Sequence, residues 1–196
     1  MATASVGKWG ERATRGGGKR VQLGEKGASS KTFYDTALRG RDSCRRQGVP
    51  LIINDGVDVA LAVDADGVHI GQEDIPADVV RRLIGPDKIL GVSASSFAEA
   101  IAAVDSGADY LGVGAMNATN TKTDAHLTSL LELSKIRAKV KLPIVVIGGI
   151  GLGNAYGFAQ MGIDGLAVVS AIVAQKDIVA AARDIKAEFV RGLPKK

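Results

Sequence analysis

The sequence predicts an α/β protein, specifically a (β/α)8 TIM barrel. Seven short, almost wholly apolar segments recur along the chain, which is typical of parallel strands in a sheet covered by helices. Amphipathic helical patterns separate these segments, and each segment runs into polar residues at its C-terminal end. Because 196 residues lie near the lower limit for this fold, we expect the first of the eight strands to be missing or divergent. A doubly wound open sheet is the alternative fold.

The strands and the chain termini follow from this pattern. The predicted strands are 21–23, 51–53, 67–70, 89–92, 110–113, 144–147 and 165–169. We expect residues 1–19 to be a poorly ordered or divergent N-terminal segment, because three consecutive glycines at 16–18 would end any helix there. Residues 20–192 then form a single barrel domain.

The helices between the strands carry predicted core faces. Ser29 and Ser30 are candidate N-caps of a helix that runs to about Arg46. Three later helices are assigned buried residues by their spacing: Phe97, Ile101 and Val104 in the first, Leu127, Leu130 and Leu131 in the second, and Ile178, Ala182, Ile185 and Phe189 in the last.

Composition excludes several classes of function. The net charge of +4 arises in the first twenty residues, and with 4% aromatic residues there is no basic stripe with interleaved aromatics, so we expect no nucleic-acid partner. The longest apolar run, 166–174, is too short to span a membrane. The single cysteine, Cys44, is expected to be a buried hydrophobe in a reducing compartment. We therefore expect a cytoplasmic protein, with organelle targeting by the basic N-terminus as the alternative and homo-oligomerisation left open.

Two acids follow neighbouring predicted strands and suggest a metal site. Asp55 comes directly after the strand 51–53, and Asp74 follows the strand 67–70. Because the carboxyl ends of parallel strands meet at one rim, these carboxylates are expected to lie together. Mg²⁺ typically takes one or two protein carboxylates and completes its octahedron with water and substrate phosphate. The sequence therefore predicts magnesium at this rim.

Other strand ends suggest phosphorylated small-molecule substrates. Backbone N–H groups after Gly148-Gly149 and near Ser170 suit a phosphate, although a tight strand-to-helix turn would explain the same glycines. The loop 119–122 adds hydroxyls and a lysine, and Lys26 adds a second cation, unless that loop is only a solvated connection. His69 is either a hydrogen-bonded core histidine or a substrate contact. No Ser-His-Asp set and no cluster of metal-binding histidines or cysteines occurs.

Eight ordered motifs resemble thiamine phosphate synthase. They are VQLGEK (21–26), VPLIIND (49–55), DGVHIGQED (66–74), GVS (91–93), ADYLGVG (108–114), TNTK (119–122), IGGI (147–150) and GLAVVSAI (165–172). The resemblance implies a transferase in thiamine biosynthesis that joins a hydroxymethylpyrimidine diphosphate to a thiazole phosphate, releasing pyrophosphate. It places catalytic roles on Lys26, Ser93 and Lys122.

The resemblance also implies ligand assignments for individual residues. By this resemblance, the residues expected to bind the pyrimidine diphosphate are Gln22, Leu23, Gly24, Glu25, Lys26, Asn54, Ser93 and Lys122. Those expected to bind the thiazole phosphate are Thr119, Asn120, Thr121, Gly149, Val169 and Ser170. The Mg²⁺ cofactor is expected to bind to Asp55 and Asp74.

The chain departs from the family pattern at two glycines. Gly24 and Gly56 occupy positions where arginine is usual in the family, so the diphosphate region carries fewer cations. Two alternatives to an active synthase therefore stand: a catalytically impaired paralogue that binds phosphorylated ligands, and the related thiazole tautomerase, in which this pair of acids is not expected.

Overall fold

The strands form one parallel sheet whose order in space is the order in the chain. A computed structural model describes residues 6–118 and 127–194. The sheet comprises β1 (Val21–Leu23), β2 (Leu51–Asn54), β3 (Gly67–Ile70), β4 (Ile89–Ala94), β5 (Tyr110–Val113), β6 (Ile144–Ile147) and β7 (Gly165–Ala167). Every neighbouring pair is parallel, from Val21 opposite Leu51 to Ile147 opposite Ala167. The predicted strands and the barrel-like α/β class are confirmed, with seven strands curled into a partly closed barrel.

Helices alternate with these strands along the chain. Their bounds are α1 (Val6–Arg15), α2 (Ser30–Gln47), α3 (Val57–Ala62), α4 (Ala77–Ile84), α5 (Phe97–Asp105), α6 (Leu130–Lys139), α7 (Ala155–Gln160), α8 (Ser170–Val173) and α9 (Ile178–Gly192). The predicted N-cap Ser29 accepts a hydrogen bond from the Thr32 N–H. None of the helices in the described part of the chain has the length and apolar character needed to cross a membrane.

The N-terminal segment differs from the prediction of poor order. Val6–Arg15 form α1, which packs against α2 and α9. The helix ends where the three glycines were expected to end it, and Gly17 has a φ of 102°. A Cβ on Gly16 would lie 2.6 Å from the Ala182 Cβ, so the glycine permits the close approach of this segment to α9.

The predicted core faces of two helices differ from those in the structure, and the one on α6 is wrong at each of its three residues. Leu127, Leu130 and Leu131 are 64%, 58% and 67% exposed, and α6 begins only at Leu130. Its buried residues are instead Leu133 and Ile136. The register follows from the N-cap, because Ser129 accepts a hydrogen bond from the Glu132 N–H and so sets where the helix starts.

The face predicted for α5 is wrong at two of its three residues. Phe97 and Val104 are each 36% exposed, whereas Ile101 packs against the main core as predicted, and the buried residues of the helix are Ala100 and Ala103. Small residues at these positions bring the helix close to the sheet. The stripe predicted for α9 is confirmed, with Ile178, Ala182, Ile185 and Phe189 buried.

The core and the site lie on opposite sides of the strands. Leu51, Ile53, Leu90, Leu111 and Ile144 are fully buried in the main apolar core. Because side chains alternate along a strand, the residues between them point to the concave side of the curled sheet. Polar side chains on this side and at the carboxyl ends of the strands build the candidate site.

Candidate active site

Asp55 and Asp74 lie together at the rim, as predicted. The Asp55 N–H donates to the His69 carbonyl at 2.9 Å, which continues the pairing of β2 and β3 beyond the strands. Asp74 Oδ2 accepts a hydrogen bond from the Gly71 N–H at 2.6 Å, and this bond turns the chain back toward Asp55. Asp55 has a φ of 65°, a left-handed conformation that aspartate tolerates better than most residues.

The electrostatics of the acid pair suit a divalent cation. Partial burial of the carboxyl group and then the neighbouring Asp74 carboxylate raise the pKa of Asp55, while Lys26 and Asn54 lower it in part. Two adjacent carboxylates disfavour one another's ionisation unless a cation lies between them. Among residues 6–118 and 127–194 no group of three or more His, Cys, Asp or Glu side chains is assembled. A pair of carboxylates is a donor set that a cation such as Mg²⁺ accepts, because Mg²⁺ takes one or two protein carboxylates and completes its octahedron with other oxygen ligands.

Residues of β1 and β2 flank the acids. Gln22 Nε2 donates to Asn54 Oδ1 at 2.6 Å, which joins the ends of these two strands. Lys26 lies close enough to lower the pKa of Asp55. Leu23, in contrast, is 4% exposed and belongs to the apolar core, so only its backbone is available to a ligand. The structure thus brings Gln22, Lys26 and Asn54 to the acid pair.

A hydrogen-bonded chain of side chains runs through the concave interior. His69 Nδ1 lies 2.9 Å from the Tyr110 hydroxyl, and His69 Nε2 lies 2.9 Å from Ser93 Oγ. Burial lowers the pKa of His69 to about 4 and raises the pKa of Tyr110 to about 12. Gln72 Nε2 donates to the Ser93 carbonyl at 2.6 Å and holds the end of β4. His69 is therefore a hydrogen-bonded interior histidine that contacts a predicted site residue.

A second region of the rim contains an open cavity of about 520 Å³. Residues after β6 and β7 line it, among them Gly149, Gly151, Asn154, Ser170, Ala171 and Gln175. The N–H groups of Gly149 and Ser170 have no hydrogen-bond acceptor among the residues whose placement is described. Such N–H groups are available to an anion.

Two glycines hold the backbone of this cavity in place. Gly148 and Gly149 have φ values of 96° and 60°. A Cβ on Gly149 would lie 2.7 Å from the Asn117 Cβ, so a side chain would force the two loops apart. Asn154 Nδ2 donates to the Gly149 carbonyl at 2.9 Å, and Asn154 Oδ1 accepts from the Gly151 N–H at 3.0 Å.

Comparison with known proteins assigns the chain to a family. A family model described as thiamine monophosphate synthase matches residues 2–172. The chain belongs to this family. A thiamine-phosphate synthase from Clostridium beijerinckii is 55% identical over 191 residues, covering 97% of this chain and 91% of the relative. The relative of that name from Chloroflexus aurantiacus is 56% identical over 178 residues, covering 90% and 82%. A solved thiamine phosphate pyrophosphorylase from Pyrococcus furiosus is 37% identical, with a TM-score of 0.88 and coverage of 99% and 92%.

The residues assigned by resemblance to this thiamine monophosphate synthase family lie at several places along the rim. Gln22, Lys26, Asn54, Asp55 and Asp74 lie at one side of the rim, and Ser93 lies at the end of the interior chain. Gly149 and Ser170 line the cavity, and Val169 is the exposed residue just before Ser170. Gly24 is exposed and Glu25 half-buried just beyond β1. The predicted site residues Thr119, Asn120, Thr121 and Lys122 lie outside the described residues.

The structure adds site residues that the sequence reasoning missed. Tyr110 is the first residue of β5, and the sequence pattern predicts for it only a place in an apolar strand. Asn154 precedes α7, and its amide orders the glycine loop, for which the Gly151-x-x-Asn154 spacing is a usable turn signal. Gln175 reaches the cavity only because α8 is a single short turn, and no local pattern indicates that length.

Proposed function

We propose that this chain is a magnesium-dependent thiamine phosphate synthase. It condenses 4-amino-2-methyl-5-(diphosphooxymethyl)pyrimidine with 4-methyl-5-(2-phosphooxyethyl)thiazole to thiamine phosphate and pyrophosphate, in the cytoplasm. Family membership supports the reaction class, and the observation that carries the proposal is the Asp55–Asp74 pair beside Gln22, Asn54 and Lys26.

The acid side of the rim suits a diphosphate. Asp55 and Asp74 would hold Mg²⁺, which supplies positive charge to the diphosphate oxygens when it is bound. Lys26, which is close enough to Asp55 to lower its pKa, would add a second positive charge. The Gln22 amide, held through its bond to Asn54, and the Ser93 hydroxyl offer oriented polar contacts on the same rim. These residues would bind the pyrimidine substrate by its charged end.

The cavity after β6 and β7 suits the second phosphate. The N–H groups of Gly149 and Ser170 supply neutral donors, and the Asn154 and Gln175 amides add polar surface. Backbone donors favour a monophosphate without requiring a lysine in the cavity. The thiazole phosphate would therefore bind here, with its ring directed toward the pyrimidine methylene group. The predicted contribution of Thr119–Lys122 remains a prediction.

The chemistry requires positioning and charge stabilisation but no protein nucleophile. The C–O bond between the pyrimidine methylene and the diphosphate breaks, and its electron pair leaves with pyrophosphate. The lone pair of the thiazole nitrogen then forms the new C–N bond, so no proton must be moved. Lys26 and the metal-binding side of the rim stabilise the leaving group, and the two sites on one rim supply proximity. This requirement agrees with a sequence that has no Ser-His-Asp set.

The test is product formation from both precursors with and without Mg²⁺. The unmodified protein should yield thiamine phosphate only when Mg²⁺ is present. Asp74→Asn is the informative variant, because the amide oxygen can still accept the Gly71 N–H while the metal-binding charge is lost. It should lower kcat/KM by at least about a hundredfold, in the range found for groups that stabilise a departing charge.

A neighbouring acid supplies the control. Glu73 is exposed and adjacent to Asp74, so Glu73→Gln removes the same charge without touching the pair and should retain activity. Absence of thiamine phosphate at any enzyme concentration would overturn the proposal and favour a ligand-binding paralogue. Turnover that is equally fast with Asp74→Asn would contradict the role of the acid pair.

A further inference from the structure

Three polar side chains form a connected line through the interior of the curled sheet. Tyr110 and His69 are 6% and 7% exposed, and Ser93, at the far end, is half-buried. Both contacts in the line, from the Tyr110 hydroxyl to His69 Nδ1 and from His69 Nε2 to Ser93 Oγ, measure 2.9 Å. The line therefore leads from a sealed interior to a residue that solvent reaches.

Glycines on two strands make room for this line. A Cβ on Gly91 would lie 2.2 Å from Tyr110 Cζ and 2.4 Å from His69 Nδ1. A Cβ on Gly112 would lie 2.8 Å from His69 Cε1. The two rings thus occupy the space that a side chain at Gly91 or Gly112 would fill. The hydrogen bond between Tyr110 and His69 therefore depends on the absence of a side chain at these two strand positions.

Hydrogen-bond accounting determines the direction of the line. A neutral imidazole donates from one nitrogen and accepts at the other. If Nδ1 donated to Tyr110, the buried phenolic hydrogen would have no acceptor among the residues that the structure describes, which is costly. If Tyr110 donates to Nδ1 instead, both buried hydrogens have a partner, because Nε2–H donates to Ser93 Oγ and only the hydroxyl hydrogen of the half-buried Ser93 is left without an acceptor within the line.

A nearby cation favours the same direction. The Arg20 guanidinium carbon lies 5.4 Å from the centroid of the Tyr110 ring. A positive charge over a phenol draws electron density from the hydroxyl group and makes it a better hydrogen-bond donor. Arg20 is itself exposed, so its charge is retained at the closed end of the line.

We propose that Tyr110 and His69 are positioning residues that commit the Ser93 hydroxyl to donating its hydrogen to an acceptor atom of the bound substrate. The Ser93 oxygen is occupied by the Nε2–H donor, so its own hydrogen is directed to the open side. This inference rests on the proposed function for the identity of the substrate, the pyrimidine diphosphate. The acceptor is an unprotonated ring nitrogen or a diphosphate oxygen, which share the property of having no hydrogen to donate.

The first test measures the tautomer directly and needs no substrate. Two-bond ¹H–¹⁵N correlation spectra of protein labelled with ¹⁵N-histidine distinguish the two tautomers of a neutral ring. The chain has two histidines, and His126→Gln assigns the remaining signals to His69. The expected result near pH 7.5 is the Nε2–H tautomer, with the Nδ1 signal shifted in Tyr110→Phe. An Nδ1–H tautomer or a doubly protonated ring would overturn the inference, whatever the activity of the protein.

The second test asks whether Tyr110 acts through Ser93. Tyr110→Phe retains the ring and loses only the hydroxyl, and it should weaken use of the pyrimidine diphosphate by about fivefold to tenfold, as for one hydrogen bond, without changing the KM for the thiazole phosphate. In a Ser93→Ala background the same change should have no further effect. Tyr34→Phe, on α2 outside the interior, is the matched control. Equal losses in both backgrounds would show that Tyr110 acts only as a structural residue.

Binding measurements distinguish the two possible acceptor atoms, and comparison with turnover tests the proposed function separately from the inference about Ser93. Calorimetry with inorganic pyrophosphate and Mg²⁺ should show weaker binding to Ser93→Ala if the acceptor is a diphosphate oxygen, and unchanged binding if it is the pyrimidine nitrogen. A protein that shows the Nε2–H tautomer but no turnover would contradict the proposed function and leave the direction of the line confirmed.

Discussion

Substituting alanine at Gly91 tests how tightly the interior is filled. The added Cβ would lie 2.2 Å from Tyr110 Cζ and 2.4 Å from His69 Nδ1, both far inside normal contact. The flexible end of a side chain cannot relieve this overlap, because both atoms belong to rings that are buried. One ring must leave its position, and the hydrogen bond between the two rings breaks with it.

The expected cost combines two terms. Overpacking of a filled interior typically costs about 1–3 kcal/mol. Loss of the hydrogen bond between Tyr110 and His69 adds about 1 kcal/mol, since the groups remain buried. The free energy of unfolding should therefore fall by roughly 2–4 kcal/mol. For a chain of 196 residues this corresponds to a decrease in Tm of roughly 5–15 °C.

Urea unfolding and thermal melts measure this loss, and two further glycines calibrate it. Gly112→Ala, which meets only His69 Cε1 at 2.8 Å, should lose less stability than Gly91→Ala. Gly157→Ala lies in α7 with nothing within 4 Å of the added Cβ and should be neutral or gain up to about 1 kcal/mol from helix propensity. A free energy of unfolding of Gly91→Ala within about 0.5 kcal/mol of that of the unmodified protein would be a change of the size found at ordinary surface sites. That result would refute the conclusion that the interior around Gly91 is filled.

Three further predictions concern titratable groups. Asp55→Asn should stabilise the metal-free protein, because it removes the repulsion between Asp55 and Asp74. Mg²⁺ should raise the Tm of the unmodified protein but not the Tm of this variant. Equal shifts in Tm would exclude Asp55 as a metal ligand. Burial lowers the pKa of His69 from 6.5 to about 4, so between these pH values the unfolded state binds more protons than the folded state. The free energy of unfolding of the unmodified protein should therefore fall by roughly 3 kcal/mol from pH 6.5 to 4, relative to that of His69→Gln. Parallel pH profiles for the two proteins would contradict this. Cys44 is buried with its pKa raised to about 11, so a thiol reagent at pH 8 should react with it only after unfolding, and rapid labelling of the native protein would refute its burial.

The sequence predicted the strands and the acid side of the rim because these depend on local order along the chain. Leu51–Ile53 read as a buried strand from composition alone, and the polar residues after it had to lie at its carboxyl end. Parallel neighbours then place Asp55 near Asp74 without further information, and the structure places the two carboxylates together. Strand ends in a parallel barrel-like sheet are thus a setting in which one-dimensional order predicts three-dimensional proximity.

Contacts across the interior could not be predicted in the same way. Tyr110 and His69 are 41 residues apart, and His69 and Ser93 are 24 apart. Their meeting depends on the space left by Gly91 and Gly112, which in the sequence resemble ordinary small residues in a strand. The wrong face of α6 has a local cause, because the leucines at 127, 130 and 131 have the spacing of a core stripe, whereas the Ser129 cap starts the helix at Leu130 and leaves all three exposed.

The two glycines that depart from the family pattern differ in their structural effect. A Cβ on Gly24 would lie 3.0 Å from the Asn54 Cβ, a tight contact that a shift of a few tenths of an ångström relieves. A Cβ on Gly56 would lie 2.8 Å from Cε1 of Phe33, a ring that is 9% exposed in the core under α2. The glycine at 56 is therefore coupled to the packing of Phe33, whereas the glycine at 24 leaves the neighbouring structure able to accept a side chain. Neither position supplies a cation, and Lys26 is the side-chain cation that the described residues bring to Asp55. Under the proposed function, diphosphate binding should therefore depend correspondingly strongly on Mg²⁺.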